Sequence, residues 1–184
     1  MKKSSYIILI LILFATILGT SFGYKLLSKQ NAEPVAGVYI KNGLIYKDSD
    51  SRPYTGTVTA KIAGNTLEYD VVGGIKNGRF NIYKQGDQFI LSGTVKNNKN
   101  SGEWIYYYPN GKIESKGEFV NDQLNGKWNW YYDDGSIKQE GFFLNGDRDG
   151  KWVMYNEDGI IQAQITYQKG KTVSIIKTEK VIST

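Results

Sequence analysis

The 184-residue chain contains no histidine and no cysteine. Imidazole bases, thiolate nucleophiles, disulfides, a lipid-modified cysteine and Cys/His-held metals are therefore closed to it. Carboxylates, hydroxyls and lysines remain. Adjacent acids stand at Asp133-Asp134 and Glu157-Asp158. General acid catalysis needs a carboxyl whose pKa is raised by burial, whereas both pairs fall in turn sequences open to water. Neighbouring strand residues also point to opposite faces, so neither pair converges. Asn145-Gly146-Asp147-Arg148-Asp149-Gly150 follows the first half of a calcium loop, with oxygen ligands at alternate positions and a glycine at the turn. Its twelfth position is Asn156 instead of glutamate, and Asn and Asp suit turns without any ion, so this stretch is read as a turn. Gly73-Gly74 and Gly78 lack the Lys-Ser/Thr of a phosphate loop and are read as a turn or bulge. The expectation is a non-enzyme with no metal and no cofactor.

Aromatic rings are the other group with chemical potential. The chain has 14 Tyr, 7 Phe and 4 Trp beside 21 Gly and only 3 Pro. Phe80, Trp104, Tyr106, Tyr108, Trp128, Trp130, Tyr132 and Trp152 form a row that could stack sugars or seat a partner strand. Their regular recurrence favours a structural core instead. Tyr107, Tyr131 and Phe142 fall on the opposite, polar face by parity, which makes them the candidate partner contacts.

The elements that must position these rings are legible as a repeat. Gly78, Gly102, Gly126 and Gly150 are spaced 24 residues apart, and each is followed two positions on by an aromatic: Phe80, Trp104, Trp128 and Trp152. Gly111, Gly135 and Gly159 follow nine positions after the last three, each preceded by Asn or Asp. Ile113, Ile137 and Ile161 come next, then Gly117 and Gly141, then Phe119, Phe143 and Tyr167. A fixed period of this kind identifies a repeat array.

Each unit is expected to be a β-hairpin. Asn110-Gly111, Asp134-Gly135 and Asp158-Gly159 suit two-residue type I′ turns. That turn sets Tyr108 opposite Ile113, Tyr106 opposite Ser115 and Trp104 opposite Gly117. In the next unit it sets Tyr132 opposite Ile137, Trp130 opposite Gln139 and Trp128 opposite Gly141. A tryptophan can then cover a glycine on the neighbouring strand. Lys112, Glu114, Lys116 and Glu118 alternate with Ile113, Ser115, Gly117 and Phe119, so one face is charged and the other apolar. Residues 121–125 and 145–149 are expected to be longer return loops. The predicted fold is all-β: an antiparallel hairpin meander of about twelve strands with a period of about 24 residues, from Leu44 to Ile176, after an N-terminal apolar helix. A sheet with one aromatic face has to curl, self-associate or cover that face with a ligand.

Lys2 and Lys3 precede an uncharged run from Ser4 to Tyr24, long enough as a helix to cross a bilayer at about 1.5 Å per residue. It also has the shape of a signal peptide ending near Ser21-Phe22-Gly23. Residues 1–24 are accordingly a signal peptide or a membrane anchor, and residues 25–37 a linker. Either reading exports the rest, because the basic flank favours a cytoplasmic N-terminus. The formal charge is +5, but residues 1–33 carry four Lys against one Glu. The remainder is nearly balanced with its signs interleaved, unlike a nucleic-acid footprint.

Gly-x-Trp-x-x-Tyr, then Asn/Asp-Gly-x-Ile, then Gly-x-Phe resembles the bacterial variant of the MORN repeat, found in proteins described as YwqK-like antitoxins. Gly43-Leu44-Ile45-Tyr46 and Arg52-Pro53-Tyr54-Thr55-Gly56 resemble the segment that opens such arrays. The resemblance covers roughly residues 40–170 and assigns residues 38–184 to a MORN-like hairpin domain. It implies hairpin repeats, a non-catalytic binding role and, for an antitoxin, a protein toxin as partner. The repeat residues it implies are structural: Gly78, Phe80, Gly102, Trp104, Gly111, Gly126, Trp128, Gly135, Gly150, Trp152 and Gly159. Gly126-Lys127-Trp128 with Tyr131-Tyr132 and Gly135-Ser136-Ile137 is also similar to choline-binding cell-wall repeats, which use aromatic cages.

The expected function is a non-catalytic protein-interaction platform at the cell envelope, exported or held in the membrane through residues 4–24. A YwqK-like antitoxin and an aromatic-repeat wall binder are the alternatives. A protein partner is expected, self-association is open, and nucleic acid is not expected.

Overall fold

The computed structural model describes residues 37–178 apart from residues 63 and 85. Every regular element in that range is a β-strand. Strands β1 (Val38–Lys41) and β2 (Leu44–Lys47) form a separate hairpin. Eleven more strands follow: β3 (Gly56–Ile62), β4 (Asn65–Val72), β5 (Ile75–Tyr83), β6 (Phe89–Lys96), β7 (Lys99–Tyr107), β8 (Ile113–Val120), β9 (Gln123–Tyr131), β10 (Ile137–Leu144), β11 (Asp147–Tyr155), β12 (Ile161–Gln168) and β13 (Lys171–Lys177). They make one antiparallel sheet whose spatial order is the chain order, so β3 and β13 are its two edges. The expected anchor or signal segment and nearly all of the expected linker lie outside the described residues. Among the described residues, no helix is long and apolar enough to cross a membrane.

The turns correct the sequence expectation. Tyr108 donates its backbone N–H to the Lys112 carbonyl, and Gly111 donates to the Tyr108 carbonyl. Three residues therefore lie in the loop, and only Gly111, at φ +84°, is left-handed. This is a type I turn closed by a glycine bulge, with Pro109 at the position that its fixed φ suits. Tyr132–Ser136 and Asn156–Ile160 repeat it. The extra residue displaces the pairing beyond the loop by one: Tyr107, not Tyr108, stands opposite Ile113, and Tyr131, not Tyr132, opposite Ile137. The inner pairs Tyr106–Ser115, Trp104–Gly117, Trp130–Gln139 and Trp128–Gly141 are as expected.

The two-residue turns are at the other end of the sheet, where longer loops were expected. Asn121 and Asp122 both take positive φ (51° and 71°), as do Asn145 and Gly146 (52° and 90°). Gly73-Gly74, Asn97-Asn98 and Lys169-Gly170 do the same. Strands resume immediately after each pair, so Gln123–Asn125 and Asp147–Asp149 belong to strands and not to loops.

Each Gly-x-Trp is a bulge. Between the paired residues Lys116–Asn129 and Glu118–Asn125, the single residue Gly117 faces three: Gly126, Lys127 and Trp128. Gly93 faces Gly102-Glu103-Trp104 and Gly141 faces Gly150-Lys151-Trp152 in the same way. Gly102, Gly126 and Gly150 take φ values of +67°, +68° and +67°, which glycine adopts without Cβ strain. In β4–β5 the corresponding irregularity lies opposite Asp70, which takes no ring above it. Its carboxylate accepts from the Arg79 backbone N–H at 3.0 Å and from Arg79 Nε at 2.9 Å.

The core is a ladder of rings running across the strands. Tyr69, Phe80, Trp104, Phe119, Trp128, Phe143, Trp152 and Tyr167 succeed one another at centroid spacings between 5.0 and 6.3 Å. From Trp104 onward the contacts are mostly edge-to-face, the arrangement favoured by ring quadrupoles. Trp104 and Trp128 are completely buried on the eleven-stranded sheet, because glycine backbone closes one side of each ring and phenylalanines the edges. The β1–β2 hairpin covers the N-terminal end of the ladder. Ile45 is buried there, and its N–H donates to the Gly74 carbonyl at 2.8 Å.

Candidate interaction surface

Burial divides the candidate residues by face. Strand parity directs Trp104, Trp128 and Trp152 into the ladder, and each indole N–H donates to a backbone carbonyl at 3.1 Å: Thr94, Glu118 and Phe142 respectively. Their rings are thus fully occupied as core, with Tyr106, Trp130 and Phe143 packed against it. Burial pushes the Tyr106 phenol well above its usual range, so it stays neutral. An aromatic cage would need open ring faces, and Trp104, Trp128 and Trp152 have none to offer.

Consecutive units are strapped at both ends of the strands. At the three-residue loops, Tyr108 Oη donates to the Tyr131 carbonyl at 2.6 Å and Tyr132 Oη to the Tyr155 carbonyl at 2.7 Å. Asn110 Nδ2 reaches the Asp133 carbonyl and Lys112 Nζ the Asp134 carbonyl. At the two-residue turns, Asp122 N–H donates to Asn100 O, and Asp122 Oδ1 accepts the Asn100 N–H. Gly146 donates to Leu124 O, and Gly170 to Arg148 O. Satisfying turn amides one unit along in this way fixes the stacking of the units.

The opposite face carries a second row at the repeat period: Tyr83, Tyr107, Tyr131 and Tyr155. Tyr107 and Tyr131, two of the candidate contacts, are half-buried in it. The Tyr107 ring stacks on Phe89 at 5.6 Å, and its hydroxyl lies 3.5 Å from Ser92 Oγ. Tyr155 Oη donates to Glu140 Oε1 at 2.9 Å, while Lys127 Nζ lies 2.6 Å from Glu140 Oε2. The ammonium of Lys127 holds the Glu140 carboxyl below its usual range. Phe142, the third candidate, is 49% exposed beside these polar groups.

Three apolar residues missed in the sequence share that face. Val72, Val120 and Leu144 are 50%, 48% and 53% exposed. Each is the last strand residue before a two-residue turn. Their signal was spacing, since they are separated by multiples of 24 and each stands just before a turn or return loop expected from the sequence. Leu144 lies two positions from Phe142 on β10 and therefore on the same face.

The acidic pairs stay apart from any site. Asp133, Asp134, Glu157 and Asp158 are exposed at the three-residue loops. Hydrogen bonds from Ser136 lower the Asp134 carboxyl, opposite to what a general acid requires. The calcium-like stretch is divided between the Asn145-Gly146 turn and β11. Among the described residues, no three His, Cys, Asp or Glu side chains converge to hold a metal.

Within β11, Arg148 occupies the position that buried Leu124 holds in β9, each pairing with the phenylalanine of the preceding strand. Its guanidinium lies 4.6 Å from the Trp152 ring centroid and 5.3 Å from that of Tyr167. A cation stacked on two rings covers the ladder where aliphatic core gives out.

No curated protein matches the chain. The units described above do match a family: residues 100–121, 124–145 and 148–169, each a strand pair around one three-residue loop, match the model of the MORN repeat variant, so the chain carries three consecutive MORN-type repeats.

Proposed function

We propose that the protein is a non-catalytic interaction platform at the cell envelope, exported or tethered through residues 4–24 and contacting a protein partner. One observation carries the reading. The repeat tryptophans are consumed by the core, whereas Phe142 and Leu144 stand about half exposed on the polar face of a strapped sheet. Large apolar side chains set among charged and tyrosine side chains are the usual anchors of a protein interface. MORN-type repeats commonly serve protein or membrane contact, which agrees with this reading. The apolar run from Ser4 to Tyr24, preceded by Lys2 and Lys3, supports placement of the repeats outside the cytoplasm.

The test is site-specific photocrosslinking in the native host. A crosslinker at Phe142 is expected to capture one protein in a discrete band, and the same group at Lys61, far along the sheet, is not. Phe142→Asp combined with Leu144→Asp should abolish co-purification of that protein while leaving the unfolding midpoint unchanged. Equal labelling from both positions, or capture that survives the double substitution, would refute the platform.

A further inference from the structure

We infer that β13 is an open docking edge for an extended protein segment whose apolar residues alternate and whose ends are acidic; this rests on the protein-binding reading above. Repeat arrays need a cap at each end to shield the last apolar face. The N-terminal end has one, the β1–β2 hairpin with buried Ile45. At the other end, among the described residues, the buried apolar residues stop at Val153. All seven residues of β13 are exposed, with Val173 at 61%, Ile175 at 56% and Ile176 at 63%. Ile165, opposite Ile175, stands where Gly117 and Gly141 stand in the earlier units. No indole could lie on that backbone, so the ladder ends at Tyr167 and its final strand is β-branched instead.

Charge selects the occupant. Strands β12 and β13 with the turn between them hold three lysines, Lys169, Lys171 and Lys177, and no acidic residue, the next acid along the chain being Glu179. Two of them bracket β13. Lysines on a strand edge oppose pairing with a like-charged edge. Val173 is an extra residue opposite the Thr166–Tyr167 step of β12, so Lys171 and Lys177 lie on opposite faces, and a second copy would bring like charge to each end of the shared edge. A segment with acidic ends and alternating Val, Ile or Thr instead places charge on charge and its apolar side chains beside Val173 and Ile175. Its backbone would extend the sheet by one strand, as in other strand-addition complexes.

The test uses the full-length chain in a mild non-ionic detergent with two fluorescent peptides, Glu-Thr-Val-Thr-Val-Thr-Glu and Lys-Thr-Val-Thr-Val-Thr-Lys. By anisotropy the acid-ended peptide is expected to bind about tenfold tighter, from a few exposed charge pairs, and to weaken as salt rises. Lys171→Glu with Lys177→Glu should reverse the preference. Val173→Asp with Ile175→Asp should abolish binding of both peptides without moving the unfolding midpoint, because every residue changed is solvent-exposed. Equal affinity for the two peptides, no binding, or β13-dependent dimerisation in sedimentation would overturn the proposal. So would binding to phosphatidylglycerol vesicles that the same substitutions abolish. Failure here with crosslinking at Phe142 intact would remove only the edge; failure of both would remove the platform.

Discussion

Trp128 lies on Gly117 so closely that a Cβ built on the glycine would stand 2.2 Å from indole Cδ2. Trp104 on Gly93 and Trp152 on Gly141 repeat the relationship at the same distance. Each ring thus rests on the preceding strand, while the glycine opposite it in its own hairpin carries the ring of the next unit. One strand's backbone is therefore the floor for its successor, which couples every repeat to its neighbour.

Gly117→Ala should consequently destabilise the protein by about 3 kcal/mol, the upper range for inserting a methyl into a filled core. Trp128→Ala should cost about 3–5 kcal/mol through the cavity it leaves. Because the two residues share one contact, the double substitution should cost clearly less than the sum in denaturant unfolding. Additive losses would disprove the stacking.

Gly126 is a different case. Its built Cβ meets nothing nearer than Glu118 Oε2 at 4.0 Å, but its φ is +68°. Gly126→Ala should therefore cost about 1–2 kcal/mol through backbone strain alone. Gly126→Asn should cost less, since asparagine tolerates that region. Chemical unfolding of the two variants side by side checks the ranking.

The Arg79 guanidinium beside Asp70 holds its carboxyl down to about 2. A depressed folded-state pKa means that this stabilisation is complete above the unfolded value, about 3.8. It is lost as pH falls from there through about 2. Asp70→Asn should lower stability at neutral pH and flatten the acid limb of stability between about pH 4 and pH 2. An unchanged acid limb would show that the pair contributes nothing to the first bulge.

Cell fractionation with intact-mass analysis of the N-terminus tests the placement of the chain. The full chain in the membrane fraction with protease-sensitive repeats outside is expected for an anchor. A product starting near Tyr24 in the exported fraction is expected for a cleaved leader. Repeats protected on the cytoplasmic side would instead favour an intracellular partner, as in the antitoxin alternative.

Much of this architecture was legible in the residues. The 24-residue spacing of Gly78, Gly102, Gly126 and Gly150 announced the units. The alternation from Lys112 to Phe119 separated the faces, and the inner pairs Trp104–Gly117 and Trp128–Gly141 followed from period-two geometry. These are local properties, set by turn propensity and parity. Turn type was not legible at Asn110-Gly111, because an Asn-Gly pair suits both a type I′ turn and the end of a type I turn closed by glycine. Nor were the I′ turns at Asn97-Asn98 and Asn121-Asp122, which accept left-handed backbone without a glycine. Which way each indole leans was decided only in the folded sheet. Trp104 and Trp128 each have a glycine on both neighbouring strands, and in the folded sheet each indole lies on the glycine of the preceding strand. The bare edge at β13 was likewise a tertiary outcome: the sequence by itself determined that Val173, Ile175 and Ile176 form a strand, and exposure arose because nothing among the described residues covers them.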